Sequence, residues 1–247
     1  MRSGNPTLNE KTFIDVPPVA SSQAMTINGT VNRTAILLGL VLIPACYVWN
    51  QFFASAGQAP VGVYIGIGAI GGLVLAMVTI FKKTWAPITA PMYAVFEGLF
   101  LGAISATMEA RFPGIVIQAV GLTFGTLFGL LFAYKSGFIR ATENFKLGVV
   151  AATGGIFLVY MVSFVMSFFG TRIPFIHESG LIGIGFSAFV VVIAAMNLVL
   201  DFDFIENGAE RGAPKYMEWF AAFGLMVTLI WLYIEILHLL AKLRGRR

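Results

Sequence analysis

The chain has little of what soluble chemistry relies on. Its single cysteine, Cys46, and two histidines exclude an internal disulfide and a cysteine-based metal centre. Only 11% of the 247 residues are charged. No His-Glu-x-x-His motif, phosphate-binding glycine loop or Gly-x-Gly-Asp setting occurs. Gly185-Phe-Ser187-Ala, taken with His238, lacks the glycine that should follow a rhomboid-type serine, so no enzyme is expected. The basic residues are scattered without a stacking platform, which argues against a nucleic-acid partner.

What the chain has is apolar length. Apolar residues make up 58% and aromatics 14%, and the mean hydropathy is +0.85, too apolar for a water-facing domain. Runs of about 20 apolar residues, each long enough for roughly 30 Å of hydrocarbon, occur at about 34–53, 61–81, 88–108, 113–134, 146–169, 180–202 and 219–241. They are continuously apolar rather than alternating, which excludes barrel strands. The expected fold is an all-α polytopic membrane protein with seven transmembrane helices. Residues 1–25 read as a polar, partly disordered tail without a cleavable signal. Residues 26–243 read as the membrane domain and 244–247 as a basic tail.

With a cytosolic N-terminus, ten Lys or Arg residues, among them Lys146, fall on the cytosolic side, against Arg111 and Arg172 opposite. The basic C-terminus then lies outside after seven crossings, unless the last segment is re-entrant. The net charge of +4 suits anionic headgroups. Trp49, Trp85, Trp219 and Trp231 read mostly as interfacial anchors.

Glycines four residues apart, Gly98 and Gly102 and then Gly121, Gly125 and Gly129, predict close helix packing within the bundle, with a homodimer seam as the alternative. Against the apolar background stand a few acids, and a charge at membrane depth marks function by default. Glu97, in the third run, is either an interhelical hydrogen bond or part of an ion path. Asp201 closes the sixth run one turn after Asn197 on the same face, with Asp203 rotated away. Glu235 lies deep in the last run, with His238 three residues on as a relay candidate or an interfacial histidine. Two acids drawn together would share a proton and form a pH-dependent latch, and calcium is the natural hard cation for oxygen-only ligands.

Four segments resemble the Bax-inhibitor-1 family, also called the transmembrane Bax-inhibitor-motif or YccA-like family, in a bacterial, actinobacterial branch. They are Tyr93-Ala-Val-Phe-Glu97-Gly98-Leu-Phe-Leu-Gly102-Ala-Ile-Ser105, Tyr134-Lys-Ser-Gly137-Phe-Ile-Arg140, Asn197-Leu-Val-Leu-Asp201-Phe-Asp203-Phe-Ile-Glu206 and Leu232-Tyr-Ile-Glu235. The resemblance spans roughly residues 25–243. It implies a last helix surrounded by the other six and a pH-sensitive calcium leak governed by two aspartates, the first matched by Asp201 and the second by Glu235, an acid one methylene longer.

The stretch between these acids is roughly ten residues longer than the family pattern. They can meet only if residues 213–224 form a separate element, broken at Pro214 or Gly224. Otherwise a position near Met226 takes the level of Asp201. Two functions are weighed: a calcium or proton leak with transient calcium at Asp201 and Glu235, and a non-catalytic regulator of a membrane quality-control protease or other membrane protein. No cofactor is expected. The setting is a bacterial plasma membrane, and the state a monomer or weak homo-oligomer.

Overall fold

A computed structural model describes residues 24–170 and 180–245. Most of the N-terminal tail, Arg172, Arg246 and Arg247 fall outside them. Seven long helices are present among the described residues: α1 Ile27–Ala54, α2 Val61–Phe81, α3 Ala86–Arg111, α4 Ile115–Lys135, α5 Glu143–Phe168, α6 Leu181–Glu210 and α7 Met217–Gly245. All seven are long and apolar enough to cross a membrane. Together they make an all-α polytopic membrane protein.

Several helices outrun their apolar runs, because backbone hydrogen bonding continues into polar sequence wherever a cap or an acid-rich turn supports it. Thr26 caps α1, its side chain accepting from the Gly29 N–H at 2.9 Å. Thr142 caps α5 through the Phe145 N–H, and α6 runs nine residues beyond Asp201, to Glu210. Left-handed glycines make two of the turns, Gly114 before α4 (φ 79°) and Gly212 between α6 and α7 (φ 63°).

The helices differ in how much of them is covered. In α2 only 11% of the most apolar window is buried, whereas in α7 it is 78%, the burial expected of an inner helix. The apolar side chains that α2 exposes, such as Ile70 and Leu73, suit lipid rather than water.

The described residues fall into two compact units. One comprises 114–170, 180–204 and 227–245; the other comprises 24–113 and 205–226. In the second unit the predicted glycine packing is realised at Gly98 and Gly102. A Cβ on Gly98 would strike the Val41 carbonyl, and one on Gly102 would lie 2.6 Å from the Ala45 carbonyl oxygen, so α3 rides on the backbone of α1. In the first unit Gly121, Gly125 and Gly129 depart from the expectation of packing within the bundle. A Cβ on any of them would meet no atom within 4 Å. Four-residue spacing defines a face but not what covers it.

Candidate functional site

The first unit contains a seam where α5 meets α6 and the second half of α7. Lys146, Thr153 and Tyr160 recur at seven-residue spacing on α5 and so occupy one face. Each meets a polar or aromatic partner. The Lys146 ammonium is buried, 2.9 Å from Asp203 Oδ2 and 3.4 Å from Glu143 Oε1. One step along, Asn197 Nδ2 donates to Thr153 Oγ1 (2.8 Å) and to the Ile193 carbonyl (2.9 Å). Its Oδ1 is buried without a hydrogen-bond partner. Asp201, one turn on, is fully buried.

Beyond Asn197 the seam turns apolar: Ile156, Val190 and Ile193 form a buried cluster. Polarity returns past it. Tyr160 Oη donates to Glu235 Oε1 at 2.8 Å, and Trp231 Nε1 donates to the same oxygen at 3.3 Å. At the far end Lys242 Nζ donates to Ser187 Oγ (2.7 Å) and to the Gly183 carbonyl (3.2 Å).

These pairs fix the register. Lys146 with Asp203, Thr153 with Asn197, Ile156 with Ile193, and the Tyr160 ring edge-on to Phe186 set α5 antiparallel to α6. Tyr160 and Lys242 then place Glu235 level with about residues 187–192 of α6, on the order of 15 Å along the axis from Asp201. The two acids do not form the shared-proton latch expected of a touching pair. The physical reason is the one the spacing warned of: α7 runs from Met217 to Gly245 as one helix, so neither Pro214 nor Gly224 interrupts it, and the added residues become axial distance.

Asp203, rotated away from Asp201, is an interhelical ion-pair partner of Lys146. His238 is exposed while Glu235 is buried. Trp231 is a hydrogen-bond donor to Glu235 rather than an interfacial anchor. In the second unit Glu97 hydrogen-bonds Tyr93 on its own helix, so this bond is not the interhelical one expected. Gly72 of α2 leaves room for its carboxylate: a Cβ there would lie 2.9 Å from Glu97 Oε1.

A second buried acid in that unit, Glu218, was not singled out from the sequence. Its Oε1 accepts from the Thr26 N–H and hydroxyl, both at 3.1 Å, and lies 3.3 Å from Lys215 Nζ. Arg33 Nε stands 3.9 Å from Oε2, and the Arg33 guanidinium covers the Trp219 ring at 4.8 Å. Gly29 leaves room beside it, since a Cβ there would collide with the carboxylate and oblige it to move. Read linearly, Lys215 and Glu218 look like a solvated pair at the mouth of a helix, and Lys146 looks like a loop charge. Only the partner helix shows otherwise.

Among the described residues no group of three or more His, Cys, Asp or Glu side chains could hold a metal ion. A family model described as Bax inhibitor 1 like matches residues 5–245. No curated protein and no solved structure matches the chain.

Proposed function

The chain belongs to the Bax inhibitor 1 like family, and on that premise we propose that it is a pH-sensitive leak for cations, calcium or protons, governed by the carboxylates of the α5–α6–α7 seam. One observation carries this reading. Asn197, Asp201 and Glu235 are 1%, 0% and 4% exposed in helices built to cross a bilayer, where acids are kept for function rather than stability. Asp201 with the open Asn197 oxygen makes one oxygen station, and Glu235 with Tyr160 makes another.

Because the stations are separated along the axis, no single proton bridges them. A calcium ion passing them would keep most of its water and exchange one or two ligands at a time. We place the N-terminus in the cytosol from the loop charges, and take the membrane to be a bacterial plasma membrane from the family resemblance alone. No catalytic step is assigned.

The test is flux into proteoliposomes containing the purified protein, recorded for calcium and for protons across pH. The parent should conduct with a pH profile that Asp201→Asn and Glu235→Gln each alter separately. Absence of movement at every pH would overturn the leak and favour a regulator of another membrane protein.

A further inference from the structure

We propose that Ile156, Val190 and Ile193 form a dry gate in the seam, and that Glu235 holds it shut through two aromatic side chains. This rests on the reading of the protein as a leak and names how that same site is regulated. The three residues are 4%, 0% and 7% exposed and pack on one another. Polar groups stop on either side of them: Thr153 and Asn197 on one, Tyr160 and Glu235 on the other. Thr153 and Tyr160 are seven residues apart on α5, so the apolar break is about 10 Å long. A constriction of this kind stops ions by excluding water, without a plug. All three side chains are β-branched, which limits their rotamers and keeps the packing closed.

The connection to the acid is geometric. Tyr160 and Trp231 both pack against the apolar cluster, and both donate their only polar hydrogen to one oxygen, Glu235 Oε1. The carboxylate therefore fixes two of the side chains that cover the gate. Bonds to a charged acceptor are roughly twice as strong as bonds to a neutral one, so a proton or a cation taken up by Glu235 loosens both rings together. Lys242, two turns away on α7, is the charged group that acts on Glu235 from the far side. Its ammonium is itself held by Ser187 and Gly183 of α6.

Val190→Thr and Ile193→Thr keep the branched shape and admit water. Each should raise flux at neutral pH by roughly tenfold or more, while Ile193→Val should leave it near the parent. Trp231→Phe and Tyr160→Phe, which keep the rings and remove the donors, should raise it by roughly threefold to tenfold. Retention of the parent's thermal unfolding midpoint in detergent shows which variants remain folded, and a second threonine position guards against the loss of one. If the parent conducts and both folded threonine variants match it, the gate is wrong and the leak survives. If the parent is silent at every pH but the threonine variants conduct, the gate stands and the proposed native leak falls. If all are silent, both fall.

Discussion

Glu218 and Glu235 lie on one helix, α7, and both are buried, yet the groups around them differ in charge. Glu218 has Arg33 and Lys215 within 4 Å and two further bonds from Thr26. Its carboxylate is neutralised where it stands. Glu235 has two uncharged donors, Tyr160 and Trp231, with its lysine two turns off. Burial alone therefore does not separate a structural acid from a working one. The separating property is charge compensation: an acid with cations at its oxygens fastens the fold, and one held by neutral donors can exchange a proton or an ion at modest cost to stability.

Substitutions can break or sharpen that contrast. The largest expected effect is Glu218→Ala, which removes the acceptor of both Thr26 bonds and the acid beside two part-exposed cations and should lower stability by about 3 kcal/mol in mixed-micelle unfolding. The pH profile of flux in the surviving protein should match the parent, and an unchanged midpoint would show that the clamp is idle. Next comes Gly98→Ala, where the new methyl meets backbone that cannot swing aside. It should cost about 2 kcal/mol, whereas Gly125→Ala should stay within about 0.5 kcal/mol of the parent.

Gly29→Ala should cost somewhat less, about 1.5 kcal/mol, because the atoms it strikes are the mobile end of Glu218. The same unfolding assay should show this loss shrinking to about zero when Glu218→Ala is already present, the mark of two coupled sites. Among the acids the smaller stability effect belongs to Glu235→Gln, under about 1 kcal/mol. Its signature is a flattened pH response of flux, which Glu218→Gln should not reproduce.

The seven helices were legible because lipid demands unbroken apolar length, and that demand is written locally. Their ends were not, since Thr26, Thr142 and the acidic end of α6 carry helix into sequence that reads as loop. The acids of the site stood out as exceptions to the composition. Their partners did not stand out. Lys146 resembles any loop lysine until Asp203 of another helix is set beside it, and Trp231 resembles a belt residue until its N–H is aimed at Glu235. The separation of Asp201 from Glu235 could be posed from spacing, but deciding it required knowing that α7 does not break. The glycines of α3 and α4 make the same point, since identical spacing has one stripe pressed on α1 and the other open.

The bonds from Thr26 to Glu218 join residues 192 positions apart, and Met25 donates to the Ala213 carbonyl alongside them at 2.6 Å. The N-terminal cap of α1 is thus fastened by the opening turn of α7, and the two helix starts are held by one set of bonds. Loosening the first turn of α7 would therefore loosen the start of α1 as well, because one carboxylate, Glu218, serves both.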